Sequence, residues 1–174
     1  MDPTALLREF LRYCVTKLEQ NRDQIVRCTH LLSPVQFWYR PNEHTNSIAN
    51  LILHLTGNVR QWLVSAIGGQ PFLRNRPAEF AERGPRPTAE ILAGLEQTVR
   101  EATTTLLGLD PTRLDTRHVI QGYDVSTLVA ITHVVEHFSF HTGQIIHTTK
   151  TLLNIDLSRY DDQGRKLTRQ PTQP

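Results

Sequence analysis

His133–His147, HVVEHFSFHTGQIIH, is the stretch that decides how this chain is read. Four of the eight histidines fall inside it, three of them (His133, His137, His141) at a spacing of four, and neither Pro nor Gly interrupts it before Gly143. At about 100° per residue, positions four apart advance only about 40° around a helix, so these imidazoles form one row along one side. Leu128, Ile131, Val135, Phe138, Ile145 and Leu152 recur at threes and fours, which predicts a core-facing stripe over several turns. On a helical wheel His141 lies nearest that stripe, His137 next, and His133 further toward the polar side. Metal ligands in a bundle project inward from the margins of facing helices, so His137 and His141 make the better pair.

Two imidazoles are a weak chelate, and a third ligand is expected from another helix. The segment SIANLILHLTGNVRQW supplies it: Ile48, Leu51, Ile52, Leu55, Val59, Trp62, Leu63 and Ala66 mark an apolar face, and Asn50, His54, Asn58 and Gln61 form a narrow polar strip beside it. His54 is the candidate. Outward from these two segments the chain reads as four amphipathic helices. The first runs from an Asp2 N-cap and Pro3 to about Leu32, with Leu6, Phe10, Cys14, Leu18, Ile25, Cys28 and Leu32 as its stripe. The second spans about Ser47 to Ile67 and stops at Gly68-Gly69. The third opens with Thr88 as cap and carries Ile91, Leu92, Leu95, Val99, Ala102 and Leu106 inward, and the fourth runs from Asp124 or Ser126 to Leu153.

The links are less regular. Residues 34–46 read as an aromatic-rich loop broken by Pro41, in which Trp38 and Tyr39 either line a pocket mouth or lid one end of the core. The connection to Pro87 holds Pro71, Pro77, Pro85 and Pro87 among Arg74, Arg76, Arg83 and Arg86. With Glu79 and Glu82 interspersed, a solvated loop explains it better than a phosphate patch. Links of about 20 and about 15 residues are long for a compact domain, which marks them as candidate functional loops. No strand is predicted. The expectation is an all-α bundle over residues 1–153 and a polar C-terminal tail over 154–174, partly extended over the surface.

A length of 174 residues suits one domain able to bury a core without staples. With 39% hydrophobic and 21% charged residues and a net charge of +2, nothing calls for nucleic acid or membrane as a partner. Met1-Asp2-Pro3 lacks a basic leader region and no apolar run nears about 18 residues, so neither signal peptide nor membrane span is expected, and the cytoplasm is the default. Cys14 and Cys28 on one helix would sit roughly 21 Å apart. A disulfide needs Cα atoms within about 7 Å, so both read as small core residues.

HVVEH also matches the H-x-x-E-H signature of some zinc peptidases. That reading needs a further acidic ligand downstream, and no Glu follows Glu136. Glu136 also stands about 100° around the helix from His137, away from the core. His30, His44 and His118 read as hydrogen-bonded structural histidines. His133 and His147 could widen the polar rim and are not counted as ligands.

EHFSFHTGQII together with SIANLILHLTGN resembles the DinB superfamily, the DinB/YfiT-like metal-dependent enzymes, from about Leu6 to Leu153. That resemblance implies a four-helix bundle in which a histidine of the second helix and a histidine pair of the last hold a divalent metal, here His54, His137 and His141. RPNEHTNSIAN is similar to the loop of an uncharacterised bacterial subgroup, so no substrate transfers.

Relatives by this resemblance include low-molecular-weight thiol S-transferases using bacillithiol or mycothiol and a thiol-dependent isomerase. It therefore points first to a small-molecule enzyme with a metal-bound thiolate. The alternatives are a hydrolase using metal-bound water, and a non-catalytic metal-binding or interaction module. Zinc is the expected metal, while nickel, manganese or iron also accept three imidazoles with open positions. Gln144 and Asn50 or Asn58 are candidates to orient the ligand rings through their second nitrogens. A small-molecule substrate and a homodimer packed through helix faces complete the expected partners.

Overall fold

The computed structural model describes residues 3–84, 86–157 and 161–165. Its elements in chain order are α1 (Pro3–His30), α2 (Pro34–Trp38), α3 (Ile48–Val59), which continues as a π-helix over Arg60–Ile67, α4 (Arg76–Ala81), α5 (Thr88–Gly108), a 3-10 turn (Pro111–Arg113), β1 (Arg117–Ile120), β2 (Tyr123–Ser126) and α6 (Thr127–Leu153). α1 packs on α5 and α6, and α3 packs on the same two, so the order around the bundle is α1, α5, α3, α6. This is an all-α bundle. Among the described residues no helix is long and apolar enough to cross a membrane.

The core follows from the stripes. Leu18, Ile25, Ile52, Leu55, Leu63, Leu95, Leu106, Ile131, Phe138 and Ile145 are sealed from solvent, and each such side chain stabilises the fold by about 1.5–3 kcal/mol. Cys14 and Cys28 are buried and not joined in a disulfide, and burial pushes Cys14 up to about 11, which leaves it unreactive. The faces are rotated slightly from the expected ones. In α6, Leu128 is exposed and Val134 is buried, and in α1 Leu6 is exposed. A stripe read from apolar letters misses the threonines of α6. Thr142 and Thr149 are buried, each hydroxyl donating to the carbonyl four residues earlier (2.8 Å), so they pack as apolar groups do.

Helix ends correct other expectations. Asp2 lies outside the described residues. So do 158–160 and 166–174 of the tail expected to lie partly extended. Ser47 caps α3, accepting from Asn50 N while Asn50 Oδ1 reaches back to Ser47 N, and Ser126 caps α6 through Val129 N. Thr88 is the first residue of α5 rather than its cap, and Pro87 precedes it without a side-chain bond. The aromatic loop begins with a helical turn, α2, held by a Ser33–Gln36 capping box. Phe37 is fully buried, Trp38 packs against the core, and Tyr39 stays exposed, which agrees with the lid reading.

Two strands appear where none was expected. β1 and β2 pair antiparallel, Ile120 opposite Tyr123, around Gln121-Gly122, both at positive φ (54° and 84°). That is the two-residue turn that matches strand twist. The strands are four residues each and half exposed, too short to show an alternating pattern.

Candidate metal centre

α3 and α6 lie side by side, and each turns histidine toward the other. His54 Nε2 and His137 Nε2 are 2.9 Å apart. One ring nitrogen from each of His54, His137 and His141 falls within 4.8 Å of the others. The rings stand edge to face, with centroids 5.0 Å apart for His54–His137, 5.2 Å for His54–His141 and 4.5 Å for His137–His141. His54 is buried; the two α6 histidines are half-buried.

The second nitrogens of His54 and His141 are occupied. His141 Nδ1 lies 2.7 Å from Gln144 Oε1, an acceptor, which leaves His141 Nε2 with its lone pair. His54 Nδ1 lies 2.9 Å from Glu79 Oε2. Glu79 is gripped by Arg74, whose Nε donates to Oε1 (2.7 Å) and Nη2 to Oε2 (2.8 Å). Both partners are dry, the Arg74 side chain 4% and the Glu79 side chain 11% exposed. Arg74 Nη1 donates to Gln61 Oε1 (3.1 Å), which also accepts from Gln121 Nε2 at the hairpin tip (2.7 Å). Phe80 lies over the His54 ring (4.7 Å between centroids).

Electrostatics favour neutral imidazoles. Burial, then the positive neighbours His141, His54, His133 and Arg74, push His137 down to about 3. Burial likewise lowers His141, against the bond to Gln144, and lowers His133. Burial by itself would raise Glu79, but hydrogen bonds from Arg74 and His54 and their charge bring it below the ordinary carboxylate value. At neutral pH His137 and His141 thus offer uncharged nitrogen donors beside one anchored carboxylate. Three imidazoles, two of them oriented by acceptors at Nδ1, are a donor set suited to a borderline divalent ion such as zinc or nickel.

The expected residues divide as follows. His54, His137 and His141 come together, and Gln144 bonds His141. Asn50 bonds no histidine: its Nδ2 donates to the carbonyls of Glu79 and Glu82 (2.9 Å each). Asn58 Oδ1 is buried without a partner among the described residues. His133 stacks on His137 and lies against Trp62, outside the three-nitrogen group. His147 lines a separate cleft with His44 and Gln144.

Glu79 and Arg74 were read as parts of a solvated loop, and here the structure corrects the reading. The connection folds back over α3 through α4 and buries both. One signal in the sequence marks them: Gly57, inside a helix where glycine costs about 1 kcal/mol relative to alanine. A Cβ at Gly57 would stand 2.0 Å from Glu79 Oε1 and 3.0 Å from Arg74 Nε.

Comparison with known proteins agrees with the fold. The sequence profile of the family described as "Protein of unknown function (DUF1572)" matches residues 5–159, and the chain belongs to that family. The crystal structure of a conserved protein from Enterococcus faecalis is similar with a TM-score of 0.68 at 13% identity, covering 89% of this chain and 99% of that one. At that identity the likeness is one of fold. No curated protein matches the chain.

Proposed function

We propose that this member of the DUF1572 family is a DinB-like protein that binds a divalent metal through His54, His137 and His141 and uses it in small-molecule chemistry, thiol transfer first. The observation that carries the reading is the convergence of ring nitrogens from two helices, with His54 and His141 each tied through Nδ1 to an acceptor. A divalent cation at such a site supplies Lewis acidity, lowering the pKa of a thiol or water that it coordinates.

The chain's own residues prepare that chemistry. Burial keeps His137 and His141 uncharged, so their lone pairs are available at neutral pH. Three protein donors leave coordination positions open, the arrangement of catalytic rather than structural metal sites. Phe80 packs over the His54 ring and limits water on that side of it.

The test is metal analysis after incubation with zinc and with nickel, followed by a screen of low-molecular-weight thiols against electrophiles with an ester panel alongside. One metal per chain, lost in His54→Ala, and thiol-dependent turnover are expected. Ester cleavage without thiol moves the reading to hydrolysis. Metal without turnover leaves a binding module, and no metal at all ends the proposal.

A further inference from the structure

His54 Nδ1 has two neighbours with opposite demands. Glu79 Oε2, at 2.9 Å, is a carboxylate oxygen and can only accept. Arg74 Nη2, at 3.1 Å, can only donate. The first requires a proton on Nδ1 and leaves the lone pair on Nε2, the nitrogen that faces His137. The second requires the lone pair on Nδ1 and puts the proton on Nε2, where it would block a ligand.

The geometry gives the carboxylate the stronger claim. Arg74 Nη2 is already spent on Glu79 Oε2 at 2.8 Å and on the His54 carbonyl at 3.3 Å, and its Nε holds the other carboxylate oxygen. Glu79 in turn is fixed from behind. Asn50, fully buried, holds the backbone carbonyls of Glu79 itself and of Glu82 just past α4, and Asn75 caps α4 through Ala78 N. Gly57 leaves the notch into which the carboxylate fits.

We infer that Glu79 is a positioning residue that selects the Nδ1-protonated form of His54, and that Arg74 is both its anchor and, once Glu79 is displaced, the donor that drives His54 into the opposite tautomer. The tautomer itself does not depend on metal; its consequence for affinity rests on the metal-binding reading above. The connection between α3 and α5 is therefore part of the site, bringing its orienting carboxylate from outside the bundle.

Nitrogen-15 NMR of the His54 ring in metal-free protein, with zinc titrations, tests this in wild type, Glu79→Ala, Gly57→Ala and the double variant Glu79→Ala/Arg74→Met. Wild type should show Nδ1 protonated and Nε2 bare. Glu79→Ala should show the reverse and bind zinc roughly 10–100-fold more weakly. Gly57→Ala, which keeps every charged group, should shift in the same direction. Removing Arg74 as well should restore part of the affinity, because neither tautomer is then enforced. If Glu79→Ala does not fold, Gly57→Ala and the double variant carry the test.

A wild-type His54 protonated on Nε2, or variants with unchanged tautomer and zinc affinity within about twofold of wild type, overturns the inference while the metal reading stands. A double variant no better than Glu79→Ala overturns the part given to Arg74. The expected tautomer change in a protein that binds no zinc supports the inference and ends the metal reading instead.

Discussion

The two sides of the histidine cluster are built by different means. On α6, His137 and His141 are placed by helix periodicity, one turn apart, and a single local bond from Gln144 three residues on holds the outer ring. On α3, His54 is held by a carboxylate 25 residues away in sequence, itself gripped by an arginine and notched against a glycine. A pair supplied by one helix arrives pre-spaced. A lone ligand has no such neighbour, and its orientation must come from tertiary structure.

That contrast can be broken most severely at the ligands. His54→Ala and His141→Ala should each abolish stoichiometric zinc, measured by elemental analysis, while circular dichroism keeps its helical signal. If either variant keeps full metal, the two-sided site is wrong. Next comes Arg74→Met, which leaves the Glu79 carboxylate buried without its partner and should destabilise the metal-free protein by about 3 kcal/mol in urea unfolding. Gln144→Ala sharpens the same comparison from the other side. An exposed local partner should cost about tenfold in zinc affinity and under about 0.5 kcal/mol in stability. An equal loss of stability from both substitutions would erase the asymmetry.

The remaining effect concerns pH. His137 lies near 3 in the folded chain against an ordinary value of 6.5. The unfolded chain therefore takes up a proton that the fold refuses as pH falls below 6.5. Stability in the presence of chelator is full above 6.5 and is lost progressively as pH falls toward 3, with Glu79 adding to the loss as its carboxylate protonates. His137→Asn should flatten the melting temperature profile between those limits. A profile with the wild-type slope would show that His137 is not held neutral by the fold.

What could be read in the sequence follows the same division. The four long helices and the three histidines were legible because each signal is local: a repeat of three and four, a cap, a spacing of four. Gln144 was legible for the same reason. Glu79 and Arg74 were hidden because nothing in the Pro-rich connection says which of its charges will be buried, and the answer depends on where α4 docks on α3. The hairpin escaped because its strands are too short to reveal a period and it carries exposed Val119 and Tyr123. The side chain at Leu128 was misplaced because threonines, not only aliphatic residues, fill the core face of α6.

The π-helical turn Arg60–Ile67 carries a last consequence, one of counting. Its backbone closes five residues back, as Gly68 N does onto Leu63 O at 2.9 Å, so it winds more chain into each turn than the helix before it. Excising one residue there would leave His54 where it is but swing the exit at Gly68 by about 100° about the axis. The strand of chain that delivers Arg74 and Glu79 would then depart on the wrong heading, so the residue tally of a segment that touches no ligand sets whether the carboxylate arrives.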